Sequence, residues 1–211
     1  MLDMPKRKWP LHVVKHPFEG FEDLRWKKQG SMKAALIILL AMFVVAVAQH
    51  RLTNFLFNQN LVSVKYFNVV PIIIQTVVLF LTWVVGNWAI CTLLDGEGTM
   101  KNIFIVSSYA LIPYIASSAI NVVLSNVLVR DEEMFMTIIG ILGTTWSVLL
   151  MIMGLKAVHQ YSLGKTIASV LLTLAAILVI FFLLVLLVTL FQQVYVFFYS
   201  VYTEIAFRFN V

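Results

Sequence analysis

Two carboxylates stand close together in a short polar segment, Leu93–Lys101, which separates two long apolar stretches. Calcium prefers carboxylate oxygens but takes about six to eight oxygen ligands, and Asp95 and Glu97 supply only two carboxylates without the spacing of a helix-loop-helix motif. The same acids could instead bind a cationic partner surface, or lie solvated in a plain turn, which is the commonest outcome. We expect no metal or other cofactor here, and we name Asp95, Glu97 and Lys101 as candidate partner contacts.

The two glycines of this segment, Gly96 and Gly98, are separated by one residue. Glycine adopts positive φ at little steric cost, so this spacing permits a tight turn between two helices. Thr99 follows directly and has a residue type that caps helix N-termini. We therefore predict a hairpin whose second helix begins after Thr99.

Nucleophilic side chains are present in the apolar part of the chain, but activating groups are not. Ser107, Ser117 and Tyr109 lie in a stretch without histidine or carboxylate, which a hydroxyl needs beside it to become a nucleophile. The single cysteine, Cys91, has no second cysteine or nearby histidine with which to hold a metal. We therefore do not expect an enzyme.

The elements that carry these residues are five long apolar runs, which contain no Asp, Glu, Arg or His and only one Lys, at an outer edge. The runs are Met32–Ala48, Phe67–Leu94, Ile103–Val129, Met134–Leu155 and Ile167–Leu190. About 20 apolar residues span a hydrocarbon core of roughly 30 Å, so four runs are long enough and the first is marginal. With 61% hydrophobic residues and a mean hydropathy of +0.94, the chain is predicted to be an all-α polytopic membrane protein, a bundle of five transmembrane helices. The lack of ionisable groups within the runs argues against an energised transporter.

The chain divides into an N-terminal segment, residues 1–31, and a membrane domain, residues 32–211. Pro17–Lys28 has a proline at its start, acids in its first turns and bases in its last, a pattern typical of a helix. Phe18, Phe21, Leu24 and Arg25 share one face of it. This amphipathic helix either lies on the membrane surface or packs under the bundle as a collar, and the pattern fits both equally.

The distribution of basic residues predicts the orientation. With five spans, eleven Lys and Arg residues fall on the side of the N-terminus and four on the other side. The positive-inside rule then places the N-terminus in the cytoplasm and the C-terminus outside.

The third run carries a stripe of polar side chains, namely Ser107, Tyr114, Ser118, Asn121 and Ser125. Small and hydroxyl residues let membrane helices approach closely, so packing is the more common role of such a stripe. The alternative is a solute path that faces the second run. Pro113, within this run, is expected to kink the helix.

The fifth run is followed by an aromatic extension, Phe191–Tyr202, beyond the length that a bilayer needs. The helix either continues past the membrane or bends into the interface, where aromatic side chains are favoured. Tyr195, Phe198, Tyr199 and Tyr202 share one helical face. They serve either as a lipid anchor or as a face that packs on a partner outside the cytoplasm.

Four motifs resemble the bacterial branch of the Yip family, multispanning proteins named for binding Ypt/Rab GTPases in eukaryotes. They are HPFEGF (His16–Phe21) with KKQGS after it, WVVGNW (Trp83–Trp88), LLDGEGT (Leu93–Thr99) and YALIPY (Tyr109–Tyr114). The resemblance implies a non-enzymatic scaffold or accessory subunit, since eukaryotic relatives act in vesicle trafficking and some bacterial ones accompany ABC-type exporters. The eukaryotic tripeptide-and-proline signature and long soluble N-terminal domain are missing, so GTPase binding is not expected.

We therefore expect an accessory protein of a bacterial plasma membrane that binds a membrane protein partner, with ABC transporter subunits as candidates and no nucleic acid. A homo-oligomer is left open, and the alternative function is a passive channel or permease with a polar lumen along the third span. The candidate partner-binding residues are Asp95, Glu97, Lys101, Trp83, Trp88, Tyr109, Pro113, Tyr195 and Tyr199.

Overall fold

The computed structural model describes residues 9–26, 30–54, 56–57 and 68–209, and all regular elements in these ranges are helices. Two short helices come first, α1 (Trp9–Lys15) and α2 (Pro17–Trp26), followed by α3 (Met32–Leu52), α4 (Val70–Ile73), a π-helical segment (Ile74–Val78) and α5 (Leu79–Leu93). The remaining elements are α6 (Met100–Ala110), α7 (Ile112–Leu124), a 3₁₀ turn (Arg130–Glu132), α8 (Glu133–His159) and α9 (Leu163–Phe209).

Five helical segments are long and apolar enough to cross a membrane, which confirms the predicted fold class. They are Met32–Leu52, Val70–Leu93, Met100–Leu124, Arg130–His159 and Leu163–Phe209, and we call them spans one to five. The end of the bundle that holds α2 and the α5–α6 hairpin is called the hairpin end, and the opposite end the far end.

The bounds of the spans differ from the apolar runs where polar residues continue a helix. Span one extends through Gln49 and His50 to Leu52, because backbone hydrogen bonds do not require apolar side chains. Span three ends at Leu124, earlier than expected, where Ser125 and Asn126 bond back to the carbonyl of Val122. Such local side-chain bonds compete with the helical ladder, so the chain turns there.

Span three is broken into α6 and α7 at Leu111, next to Pro113. Proline lacks an N–H and its ring clashes with the preceding turn, so the predicted kink has a clear cause. Pro113 lies in the first turn of α7, where proline is tolerated. The N–H of Tyr114 donates to the hydroxyl of Ser147 on α8 at 2.9 Å. A neighbouring helix therefore supplies the hydrogen-bond acceptor for this N–H group at the start of α7.

Span three is the centre of the bundle, and small residues let its neighbours approach. Ile103 to Ala110 are all buried. A Cβ added at Gly143 of α8 would lie 2.0 Å from Oγ of Ser117, and one at Gly154 would lie 2.3 Å from Cγ1 of Val106. Ser107, Ser118 and Ser125 are buried, so these members of the polar stripe point inward.

The N-terminal helices pack against the hairpin end of the bundle. Phe21 and Leu24 of α2 are buried with Trp9 and Val13 of α1. Phe18, expected on the same face, is 65% exposed. The contacts of α2 with the bundle fit the collar interpretation, and its position relative to a membrane stays a prediction.

Helix α9 continues without interruption for 47 residues. At 1.5 Å per residue its length is about 70 Å, more than twice the roughly 30 Å of a hydrocarbon core. Its first half packs on α5, where Gly86 faces Thr173 and Ile177. Every residue from Phe182 to Tyr202 is exposed, and the helix passes Gln192 without a break.

Candidate functional site

The hairpin between α5 and α6 does not use its glycines as expected. The residue with positive φ is Asp95, at 57°, and neither Gly96 nor Gly98 has positive φ. Thr99 caps α6 as predicted, since its hydroxyl accepts from the N–H of Asn102 at 3.3 Å. The prediction that these two glycines supply the left-handed turn conformation is therefore wrong.

Close approach of the backbone explains both glycines instead. A Cβ at Gly96 would lie 2.5 Å from the hydroxyl of Tyr161 and 2.6 Å from Nδ1 of His159. A Cβ at Gly98 would lie 2.5 Å from Cε1 of His159 and 2.6 Å from Cγ1 of Val158. Only residues without a side chain fit against the end of α8 at these positions.

His159 is the centre of a hydrogen-bonded network that joins three spans to the hairpin. Its Nδ1 accepts from the N–H of Gly98 at 3.3 Å, and its Nε2 lies 3.3 Å from Oδ1 of Asn87. The amide of Asn87 then donates to the hydroxyl of Thr173 on α9 at 3.1 Å. An Nε2–H imidazole satisfies every one of these contacts, and both His159 and Asn87 are buried.

Tyr161 covers the other side of this histidine. The two rings stack with centroids 5.3 Å apart, and the phenol lies 3.1 Å from the carbonyl oxygens of Cys91 and Leu94 at the end of α5. Burial raises the pKa of Tyr161 to about 12, so the phenol stays protonated and donates. The Nζ of Lys165 lies 4.5 Å from the centre of the tyrosine ring, on its open face.

Arg25 connects α2 to the end of α8 and to the α5–α6 hairpin. Its Nη1 donates to the carbonyl oxygens of Ala157 at 2.9 Å and Val158 at 2.6 Å, in the last turn of α8. These carbonyls carry the negative end of the helix dipole, which favours a cation. Its Nη2 pairs with the carboxylate of Glu97. The arginine side chain is 13% exposed and that of Glu97 is 67% exposed, so the arginine is the buried partner.

The predicted residues of the hairpin lie together on an exposed surface. Asp95, Glu97 and Lys101 are all exposed, and Glu97 already has an internal partner in Arg25. Their contact with another protein stays a prediction. Within the described ranges, no group of three or more His, Cys, Asp or Glu side chains could hold a metal ion.

The candidate residues of the WVVGNW and YALIPY motifs do not lie together on one surface. Trp88 is 42% exposed on the outside of the bundle, whereas Trp83 is half-buried and donates to the hydroxyl of Ser107 at 3.1 Å. Tyr109 is fully buried, and its hydroxyl accepts from the N–H of Ser31 at 3.2 Å. Tyr109 therefore joins the start of span one to span three and offers no surface to a partner in this structure.

Tyr195 and Tyr199 lie on the projecting part of α9. They are 68% and 58% exposed, and their rings stack with centroids 6.3 Å apart. Their i, i+4 spacing places both on the face expected from the sequence.

A cavity of about 670 Å³ lies between the spans, distinct from the hairpin. All five spans contribute to its lining, among them through Met42, Gln75, Tyr114, Met151 and Ile177. Tyr114 and Ser118 of the predicted polar stripe are part of this lining, facing span two as the alternative function requires.

Comparisons with known proteins gave a match to a family model. The model of the Yip1 domain family matches residues 11–203, which is nearly the whole chain. A search of curated proteins and a search of solved structures gave no match. The match confirms the resemblance to the Yip family, and membership of its bacterial branch stays a prediction. The chain is a five-span member of the Yip1 domain family.

Proposed function

We propose that this protein is a non-enzymatic scaffold or accessory subunit that binds a larger membrane complex. The observation that carries the proposal is the projecting part of α9. More than half of this helix, from Phe182 to Phe209, lies beyond the part that the bundle covers, and most of the side chains there are large, apolar and exposed. Exposed apolar surface of this extent is typical of an interaction site.

The bilayer cannot cover the whole of α9 if the helix crosses it directly. About 20 residues from Leu163 suffice for the hydrocarbon core, and with tilt the apolar stretch reaches Leu190. The remaining residues to Phe209 extend about 28 Å further at 1.5 Å per residue. An aromatic helix face outside the lipid is stabilised by packing on another helix, in the manner of helix-in-groove recognition.

The hydroxyls of span three support a structural role rather than a reaction. Ser107 accepts a hydrogen bond from Trp83, Ser108 donates to the carbonyl of Phe104, and Ser117 donates to that of Tyr114. These hydroxyls are engaged in packing, as small polar residues in membrane helices commonly are.

We further propose a bacterial plasma membrane location with the hairpin end in the cytoplasm. The excess of basic residues on that side supports this orientation. The exposed hairpin surface of Asp95, Glu97 and Lys101 would then meet cytoplasmic parts of the complex, and α9 its outer parts. ABC transporter subunits are the candidate partner, on the strength of what some bacterial relatives accompany.

Co-purification in mild detergent tests the proposal. The full chain is expected to bring a stoichiometric membrane partner with it, and a chain truncated after Gln193 is expected to lose that partner while inserting normally. A matched pair of variants locates the face: Tyr195→Ala with Tyr199→Ala should weaken the complex, whereas Phe197→Ala with Val201→Ala, on the opposite face, should not. Retention of the partner by the truncated chain would show that α9 is only a lipid anchor.

The alternative, a passive channel, is favoured by the partly polar cavity. Its lining reaches Trp83, which is bonded to Ser107, and the next residues toward the hairpin end, including Val84 and Phe104, are buried. This packed region speaks against a continuous path. Solute flux through proteoliposomes that contain the pure protein would decide for the channel.

A further inference from the structure

The cavity lies at membrane depth in the half of the bundle nearer the far end. Along span two its lining runs from Ile72 to Trp83, and from Gln75 to Trp83 the depth is about 12 Å at 1.5 Å per residue. The cavity is partly open to the outside of the bundle. Its volume of about 670 Å³ lies within the roughly 300–1,000 Å³ of sites that hold one drug-sized molecule.

The lining is amphipathic along this depth. Its walls are mainly apolar, with Met42, Leu79, Phe80, Ile115 and Ile177 among them, although Tyr114 and Ser118 of span three also line it. Its end at the far side of the bundle carries Gln49 and His50 from the last turns of span one, and Gln75 from the start of span two. A mainly apolar cavity with a polar end fits an amphiphile. The hydrocarbon chain of the ligand would lie along the walls, and its polar head would lie at the polar end.

Three polar side chains of the lining have unused hydrogen-bonding groups. The side chains of Gln49, Gln75 and Tyr114 make no hydrogen bond to any residue in the described part of the chain. Gln75 is exposed, and Gln49 and Tyr114 are partly exposed, so all three are accessible to a ligand. Polar side chains within spans are commonly functional. A ligand head would give the amides of Gln49 and Gln75 a hydrogen-bond partner at the polar end.

The backbone around Gln75 is also unusual. Ile74–Val78 forms a π-helical turn within span two, while the hydroxyl of Thr76 bonds to the carbonyl of Ile72 at 2.6 Å. Single π turns inside α-helices occur frequently at functional sites. Here the turn carries Gln75 and Thr76, which both line the cavity.

We propose that this cavity binds a free fatty acid, with its carboxylate between Gln49, His50 and Gln75 and its chain directed toward Trp83. The polar end favours an anionic head, because the amides of Gln49 and Gln75 can donate N–H groups there and, among the described residues, no carboxylate lines the cavity. The amides donate to the carboxylate oxygens, and the apolar walls enclose a single chain. This ligand site is independent of the accessory role.

Photocrosslinking of the full chain in nanodiscs with a diazirine analogue of palmitic acid tests the site. Label is expected on peptides of spans one, two and three that line the cavity, and unlabelled palmitate is expected to compete while hexadecanol competes poorly. Ala46→Trp, which fills the cavity, should abolish this label. Val44→Trp is the matched control on the same helix, since Val44 is 56% exposed and does not line the cavity.

A second variant tests the site without filling the cavity, in case the tryptophan disturbs the fold. Gln75→Glu places a negative charge beside the head and should weaken palmitate competition by about tenfold, as expected for like charges in one site. Label spread over lipid-facing residues, or unchanged in Ala46→Trp, would overturn the proposal. Equal competition by hexadecanol, or an unchanged Gln75→Glu variant, would overturn the fatty-acid assignment.

Discussion

The backbone N–H of Gly98 donates to Nδ1 of His159 at 3.3 Å, which ties the α5–α6 hairpin to the end of α8. The contact is possible because Gly98 has no side chain and His159 is held from its other nitrogen by Asn87. The hairpin is therefore fixed by the bundle at one face, while Asp95 and Lys101 remain exposed at the other.

Alanine at either hairpin glycine should destabilise the protein. In Gly96→Ala the added Cβ would clash with the hydroxyl of Tyr161 and with Nδ1 of His159, and in Gly98→Ala it would clash with the ring of His159 and with Val158. Overpacking of this kind costs about 1–3 kcal/mol. Gly164→Ala is the matched control, because nothing lies within 4 Å of its added Cβ. Its free energy of unfolding should change by less than about 0.5 kcal/mol. Titration with a denaturing detergent measures all three, and equal effects would contradict the close-approach explanation.

Removal of the His159 ring should leave buried polar groups without partners. In His159→Ala, the N–H of Gly98 loses its partner and Oδ1 of Asn87 keeps only the weak thiol donor of Cys91 at 3.8 Å. We therefore expect a loss of about 1–3 kcal/mol per unsatisfied group. His16→Ala, at an exposed histidine, is the control. The same denaturation assay applies, and an effect no larger than that of the control would mean that the network does not stabilise the fold.

Arg25 should stabilise the docked α2 mainly through the carbonyls of α8. Charged hydrogen bonds contribute about 1.5–3 kcal/mol, so Arg25→Ala should cost an amount in this range. Exposed ion pairs contribute about 0–1 kcal/mol, so Glu97→Gln should cost little. Limited proteolysis of the N-terminal segment reports whether α2 has detached. If Glu97→Gln released α2 as readily as Arg25→Ala, the ion pair would be the main attachment.

The membrane helices could be predicted from the sequence because long uncharged runs have few alternatives. Their ends could not, since α9 passes through Gln192 and Gln193 without a break and α8 begins directly after Glu132. Backbone hydrogen bonds continue a helix regardless of side-chain polarity, so hydropathy marks the membrane-embedded part rather than the whole element.

The candidate site shows where reasoning from one sequence ends. The acids of the hairpin drew attention to it, but Arg25 is 72 residues from Glu97 and His159 is 61 residues from Gly98. No local spacing reveals such pairs. The only local signal is a histidine four residues after the end of the fourth run, with a tyrosine two residues later. The sequence predicts that Gly96 and Gly98 are needed for positive φ. The structure shows that they are needed because residues distant in sequence, above all His159, leave no room for a side chain.

Labelling from outside the cell tests the proposed orientation. A membrane-impermeant maleimide should modify a cysteine at Phe209→Cys, which is 86% exposed, but not one at Leu11→Cys, which is 60% exposed. Asp131→Cys and Asp95→Cys form a second pair, in which only the former should react, because five spans place these loops on opposite sides. The native Cys91 is buried, so background labelling should be low. Labelling at both ends, or at neither until the cells are opened, would mean that an even number of helices crosses the membrane. Span one would then be the least certain crossing, since its 17-residue apolar run, Met32–Ala48, is the shortest of the five.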